Sequence, residues 1–408
     1  MFPIVDWPSA IVHLDADAFF ASVMQVIYPR YKGLPLVVGE ERGIATAVSY
    51  EAKKLGINRG DKIWEIRKKF PQCIICQSDY DAYYIFSSRI FNILKKHLVL
   101  IEQYSVDEFF ADVFGLARPL RKSYQQILVE IKKEIEESLG ITVSIGLSLT
   151  KSLAKLASSF QKPSGLTIVS GKEIENFLKE NALENIWGVG PKTAYFLKSL
   201  GLKTAYDFAN LDENFILKKL NKTYFEIWQE LHGKVVYKVN PLPKHKYQSI
   251  VRSATFSKKT NNKDFLWSQL VKHLEESFFK LRQLNYLAKK ILIFIKTEKF
   301  QYFFSELKLD EPVDYPISIK DKIKNEFERI FNQKNFYRAA GVVLSDFVKK
   351  NEQQLMIFLD NNKKNEKFKQ IYSLIETKKI DFGSILYEDK NYLEKRKEKK
   401  LNIPIIYY

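Results

Sequence analysis

The sequence predicts an α+β chain of several domains, led by a β-α-β-β-α-β unit with a long insertion after its first strand. Two acidic strand ends and two amphipathic helices predict it. One strand lies in IVHLDADAFF, residues 11–20, where Asp15 and Asp17 alternate and so share a face. The other acidic run is QYSVDEFFAD, residues 103–112, which sets Asp107 beside Glu108. Adjacent carboxylates repel and resist burial, so a cation is expected between them; solvated hairpin turns are the alternative. An oxygen-lined Mg²⁺ site of the phosphoryl-transfer kind fits such acids.

Each element follows in order. Residues 11–17 read as a strand. Over Tyr80–His97, Phe86, Ile90, Ile93 and His97 recur at helical spacing. Residues 101–113 divide into two strands around the acidic pair. Residues 122–139 are helical, with Ile127, Ile131, Ile135 and Leu139 along one stripe and Gly140 as the stop. Val143, Ile145 and Leu147 then alternate with Thr142, Ser144, Gly146 and Ser148, a pattern expected of a half-buried strand. This split ferredoxin-like order brings the first strand beside the acidic hairpin, so Asp15 can meet Asp107 and Glu108.

The composition narrows the partners. The 408 residues are 46% hydrophobic and 14% aromatic, enough for several cores. Lys and Arg number 65 against 48 Asp and Glu, a net charge of +17 that favours nucleic acid over membrane. The opening MFPIVDWPSA lacks a basic, then apolar, leader, and the aliphatic run 291–295 is too short to span a bilayer. A cytoplasmic protein without membrane contact is expected. Cys73 and Cys76 form a CxxC pair, but no second pair or paired histidines follow, so PQCIIC reads as an ordinary buried strand.

After residue 170 the chain turns helical and lysine-rich. WGVGPKTAYFLKSLGL, residues 187–202, has Gly188 and Gly190 for a tight turn and Pro191 at the start of a helix. It reads as a helix-hairpin-helix, with Gly188, Gly190 and Lys192 facing DNA phosphate; a plain helical hairpin is the alternative. NPLPKHK, residues 240–246, is a linker. Residues 244–350 hold 22 Lys and Arg against 12 Asp and Glu, more than half of the net charge. Strands at 248–256, 291–296 and 339–347 and helices at 266–284 and 320–331 make a second α+β unit, either a nucleic-acid grip or a solvated charged face. The tail beyond residue 360 reads as mobile, with weak helical character at 368–375.

Five ordered runs now carry a resemblance: LDADAFFASV, SYEAKKLG, YSVDEFF, SIGLSLTKSLAKLAS with QKPSG, and WGVGPKTA. The chain resembles the Y-family translesion DNA polymerases over residues 11–350. Its catalytic strand looks like the polymerase IV (DinB) type, whereas YRAAGVVLSDF followed by QQLMIF is more similar to the UmuC type. The resemblance implies a right-hand polymerase with a ferredoxin-like palm (1–23 and 80–165) and small fingers (24–79). A helical thumb with the helix-hairpin-helix (166–239) and an α+β little finger (240–350) follow, then a clamp-binding motif and flexible tail (351–408).

It further implies two Mg²⁺ ions held by Asp15, Asp107, Glu108 and the backbone carbonyl of Ala16, with these carboxylates catalytic. Asp17 has a supporting role. Phe19 and Phe20 are placed among the substrate-facing residues, Phe20 matching the steric gate that excludes a 2′-hydroxyl; packing of one of the two in the core is also expected, as neighbours on a strand face opposite ways. Tyr50, Lys53 and Lys162 match triphosphate contacts. Lys53 stands where the family often has arginine, Met24 where it often has glutamate, and Thr150 where asparagine is frequent. Primer–template DNA and dNTPs are the implied partners of a monomeric enzyme. Gln354, Leu355, Ile357 and Phe358 resemble the peptides that hold a sliding clamp; packing of a last strand is the alternative. A nucleotidyl cyclase with the same palm, or a non-catalytic DNA-binding scaffold, are the competing functions.

Overall fold

The computed structural model describes residues 2, 5–242, 247–350 and 372–373. It divides into two compact units, Met1–Pro243 and Lys244–Tyr408. At the centre of the first is a five-stranded sheet in the order β5-β6-β1-β7-β8. Its strands are β1 (Ile11–Ala16), β5 (Leu100–Gln103), β6 (Glu108–Asp112), β7 (Val143–Ser148) and β8 (Leu166–Ile168). The first strand runs antiparallel to both β6 and β7, and Asp15 stands opposite Glu108 on one side and Ser144 on the other. β8, parallel to β7, was not expected from the sequence, because LTI is too short to show a period.

Alternation along these strands sorts the side chains into two layers. Val12, Leu14, Phe109, Ala111, Val143, Ile145 and Leu147 enter the main apolar core. Helices α4 (Tyr80–His97) and α6 (Tyr124–Leu139) cover that layer with Phe86, Ile90, Ile127, Ile131 and Ile135. Each such buried side chain is worth about 1.5–3 kcal/mol. Ser123 and Gln126 form a capping box at the start of α6, and Gly140 ends it in the left-handed region, φ 68°. The helical stripes read from the sequence lie on these buried faces.

The second layer departs from expectation. β7 is buried on both faces, not half-buried, because helix α7 (Lys151–Phe160) presses on its small residues. A β-carbon at Gly146 would lie 2.1 Å from the Ala154 carbonyl oxygen and 2.3 Å from the Ser158 amide nitrogen. We therefore expect Gly146→Ala to cost about 1–3 kcal/mol of stability, read as a lowered thermal unfolding midpoint. An unchanged midpoint would show that α7 can retreat without loss.

The insertion holds a three-stranded sheet, β3-β2-β4, from β2 (Leu36–Val38), β3 (Ala47–Val48) and β4 (Ile74–Cys76). Helices α1 (Phe19–Ile27), α2 (Tyr50–Lys54) and α3 (Ile63–Lys69) accompany it. Cys73, buried just before β4, and Cys76, at its end, are free thiols; PQCIIC does hold a strand, but a half-buried one and not the buried strand expected. A short α5 (Ala117–Leu120) follows the β5–β6 hairpin. Beyond β8, helices α8 (Ile174–Glu180), α9 (Pro191–Ser199), α10 (Ala205–Ala209), α11 (Glu213–Lys219) and α12 (Lys222–Leu231) build a second core. Buried Glu230 of α12 accepts from the Ser152 amide at 2.9 Å and from those of Val236 and Tyr237 at 3.0 and 2.9 Å. A carboxylate at the positive end of α7 thus ties this helical region to the sheet.

The second unit is an antiparallel sheet in the order β11-β10-β12-β9, from β9 (Ser249–Thr260), β10 (Tyr286–Thr297), β11 (Tyr302–Val313) and β12 (Tyr337–Lys349). Helices α13 (Lys263–Gln283) and α14 (Lys320–Ile330) cover one face. β11 was missed in the sequence because its charged stretch SELKLDE lacks the β-branched residues that mark strands. Tyr372, 2% exposed, packs against Tyr315 with ring centroids 4.9 Å apart. The clamp-like residues 354–358, and the tail apart from 372–373, lie outside the described residues. No helix among the described residues is long and apolar enough to cross a membrane.

Candidate active site

The face of the sheet under α7 carries the polar residues that the main core excludes. On β1 these are His13 and Asp15; on β6, Glu108. The strand ends at Ala16, one residue before the reading from sequence. Ala18 then takes a left-handed turn, φ 46°, and helix α1 begins. Asp17 therefore lies past the strand, where it accepts from Ser144 Oγ and the Ser164 amide, both at 2.8 Å. It orders the loop that carries Lys162.

Phe19 and Phe20 start a helix, so strand alternation does not separate them. Helical rotation of about 100° per residue does. Phe19, 4% exposed, is core, which corrects its place among the substrate-facing residues. Phe20 stays half-buried at the rim, stacked on Tyr83 with centroids 4.1 Å apart and planes 11° from parallel. Its ring is thus held from behind.

Three acidic residues, Asp15, Asp107 and Glu108, are brought to one end of the sheet. The Ala16 amide donates to the Asp107 carbonyl at 2.9 Å, pinning the acidic turn to the end of β1. Ser105 Oγ donates to Asp107 Oδ1 at 2.5 Å. Lys162 pairs with Asp15, and Lys155 Nζ stands 2.6 Å from Glu108 Oε2. Burial lifts the Asp15 carboxyl to about 6 against the pull of Lys162, and the charges of Glu108 and Asp107 add to the lift. Burial also pushes Glu108 up, but His13 and Lys155 outweigh it and hold its carboxyl near 2. Among the described residues no three acidic, histidine or cysteine side chains close on one point as a ligand shell. Lysine ammoniums neutralise Asp15 and Glu108 instead. The donor set of hard oxygens fits Mg²⁺, and the lysines show that the cluster demands positive charge.

Behind Glu108 lies an unforeseen support. His13, fully buried, has Nδ1 2.7 Å from Ser158 Oγ, and that hydroxyl also reaches the Lys155 carbonyl at 2.9 Å. With the Ser158 hydroxyl donating to Nδ1, Nε2 carries the hydrogen and turns it toward Glu108, the tautomer that lowers that carboxyl. Nε2 stands 3.7 Å from Glu108 Oε2, and burial lowers the ring to about 4, so His13 is neutral at pH 7. Lys155 rests near the rings of Tyr104 and Trp187, at 6.0 and 5.8 Å. A lysine on the otherwise apolar α7 stripe LAKLA was the sequence signal for it.

Beside the acids lies a second cluster. Lys53 Nζ sits 4.1 Å from the Tyr50 ring centroid. Burial, then the nearby charge of Lys162, lowers Lys53 below the usual lysine range. Burial and the charges of Asp17 and Asp15 push the Tyr50 phenol up. Two cations held close in a half-buried cleft want an anion of several charges. Of the positions that depart from the family pattern, Met24 is core and Thr150 caps α7. The WGVG turn has Gly188 at φ 88°, Gly190 as the cap of α9 and Lys192 exposed. Trp187 stacks on Phe110 at 5.9 Å, next to Glu108 on the same sheet.

The impB/mucB/samB family model matches residues 14–159, and the model of that family's C-terminal domain matches 247–357. DNA polymerase IV of Listeria innocua serovar 6a is 30% identical over 85% of this chain and 92% of its own length. The chain belongs to the Y-family of DNA polymerases. DNA polymerase IV 1 of Bacillus subtilis strain 168 is 26% identical across 95% of this chain and 94% of its own. Among solved structures, the Y-family DNA polymerase chimera Dbh-Dpo4(243-245)-Dbh is 26% identical, with TM-score 0.71 over 83% of this chain and 99% of that one. The insertion ternary complex of Dbh DNA polymerase is 27% identical, with TM-score 0.55 at the same coverage. These likenesses mark this Y-family member as the DinB type and make its architecture the right-hand polymerase fold.

Proposed function

We propose that Asp15, Asp107 and Glu108 are the catalytic carboxylates of this translesion DNA polymerase, which acts on DNA and nucleotides. The convergence of the three acids beside the Tyr50–Lys53–Lys162 cluster supports the reading. Two Mg²⁺ ions, held by these acids and the Ala16 carbonyl, would lower the pKa of the primer 3′-hydroxyl and neutralise departing pyrophosphate. Lys162 and Lys155, which pair with Asp15 and Glu108, mark the positive charge that such ions would supply to these acids. Lys162 and Lys53 then turn to the triphosphate, Lys53 as a point charge where an arginine would clamp with two bonds. Phe20, braced by Tyr83, leaves no room for a 2′-hydroxyl. Residues 1–23 and 80–165 form the palm, 24–79 the fingers, 166–239 the thumb and 240–350 the little finger. Gly188, Gly190 and Lys192 hold DNA phosphate without reading bases.

Primer extension by the purified protein on undamaged and abasic templates tests the function. Incorporation that needs a primed template and a divalent cation is expected. Pyrophosphate release from nucleotide alone would favour a cyclase.

Our reading makes the enzyme a cytoplasmic monomer that a sliding clamp holds through Gln354, Leu355, Ile357 and Phe358. A tethered apolar peptide raises local concentration at the primer end without altering the active site. Leu355→Ala with Phe358→Ala is expected to spare extension by the free enzyme and to remove stimulation by the clamp. Persistent stimulation would put the clamp contact elsewhere.

A further inference from the structure

Lys155 is held by one carboxylate and two rings. From α7 it pairs with Glu108 at 2.6 Å, and its ammonium stands 5.8 Å from the Trp187 ring and 6.0 Å from that of Tyr104. A long, flexible side chain gives up much rotamer freedom to stay in one place, so a single ion pair holds it loosely. One turn earlier, the Lys151 side chain is 6% exposed and locked against Glu102 at 2.5 Å. That of Lys155 is 20% exposed and needs a further constraint.

The rings beside it come from distant parts of the chain. The Tyr104 amide donates to the Glu108 carbonyl at 3.0 Å, so this ring and the acid share one turn. Trp187 precedes α9; it packs on Phe110 with planes 30° from parallel and meets Tyr104 edge-on, at 5.4 Å and 88°. Tyr237 also meets it edge-on at 6.0 Å, and is itself fixed by its phenol on Glu226 and its amide on Glu230, both at 2.9 Å. With Val239, Trp187 rests on Ile11, Phe110 and Ala154. An aliphatic side chain would serve that packing. A ring adds an attraction for the cation that pairs with Glu108.

We infer that Trp187, with Tyr104, is a positioning residue for nucleotide transfer: the two rings seat the Lys155 ammonium, and Lys155 in turn fixes the carboxylate of Glu108. The inference rests on the proposed catalytic role of Glu108. An acid whose oxygen stands in place before the substrate arrives needs no reorganisation during the reaction. Trp187 touches no reacting atom and acts through Lys155. Its neighbour Gly188 lies in the turn proposed to hold DNA phosphate, so that turn and the seat of the palm's lysine are one residue apart.

A double-mutant cycle between Trp187→Leu and Lys155→Met tests this in the full-length protein, read in single-turnover incorporation on primer–template DNA with Mg²⁺. Trp187→Leu alone is expected to slow incorporation about threefold to thirtyfold, the span that a cation–π contact supports, with affinity for DNA and dNTP unchanged. In the Lys155→Met background the same change should slow it no further. Trp187→Phe keeps a ring and should recover most of the rate, at a thermal midpoint close to that of the Leu variant. Rates that simply multiply, or a Leu variant as fast as the Phe variant, would overturn the seat. Weakened DNA binding with the rate at saturating DNA intact would overturn it too, leaving Trp187 a part of the phosphate-binding turn. Should Trp187→Leu fail to fold, Tyr104→Leu, at a ring 38% exposed, runs the same cycle. Glu108→Ala is measured alongside. If that variant is active, the assignment of Glu108 fails; if it is inactive while the rates multiply, only the seat does.

Discussion

Glu108→Ala or Asp107→Ala is expected to reduce nucleotide incorporation by roughly a hundredfold to a thousandfold or more, while affinity for primer–template DNA is retained. On the proposed assignment the acids would concentrate positive charge at the reacting phosphate, leaving the grip on DNA to groups elsewhere in the chain. Asp107→Ala should not harm folding, whereas Glu108→Ala gives up the pairing with Lys155 and His13 and is expected to lower stability somewhat. Glu108 and Asp107 both push the buried Asp15 carboxyl upward, and removing either relieves that conflict. Glu108→Gln, which keeps the packing against Lys155 and His13, should fail in single-turnover incorporation just as Glu108→Ala does. Near-wild-type rates in either Glu108 variant, or in Asp107→Ala, would show that the acids are structural.

The second large effect concerns sugar choice. Phe20→Ala should admit ribonucleotides and narrow the ratio of dNTP to rNTP efficiency by about a hundredfold, the scale that a lost steric contact in a pocket supports. The stacked Tyr83 ring cannot take over, since it is fully buried behind Phe20. Competition kinetics with paired dNTP and rNTP would read the ratio directly. An unchanged ratio would move the gate to another residue. Phe19→Leu provides the contrast: it alters the core and should leave discrimination intact.

Much of the palm was legible because its periods are long and clean. α4 and α6 expose regular stripes, and their caps are ordinary residues in ordinary places: Asp79 before α4, and Ser123 and Gly140 around α6. The acids stood out because two adjacent carboxylates in an apolar run are costly. What escaped was whatever depends on contacts distant in sequence. Ser144, Gly146 and Ser148 look like the wet face of a strand, yet α7 covers them, and nothing in their own alternation announces a helix from further along the chain. Helix α1 was read through as strand because LDADAFF alternates until Ala18, where a left-handed turn at a non-glycine residue breaks the pattern. His13, Lys155 and Ser158 were passed over for the same reason. Each is unremarkable alone, and the sheet and α7 together make them a support for Glu108. β11 escaped through its charges, which suit an edge strand that must repel other edges.

The account rests on three carboxylates, two of which, Asp15 and Glu108, exchange lysine partners for divalent ions. Mn²⁺ binding, followed by electron paramagnetic resonance with primer–template DNA and a non-hydrolysable dNTP analogue, measures that exchange without relying on turnover. About two ions per ternary complex are expected for the wild type, with at least one lost in Asp107→Ala and in Glu108→Ala. Unchanged Mn²⁺ binding in both variants would contradict it.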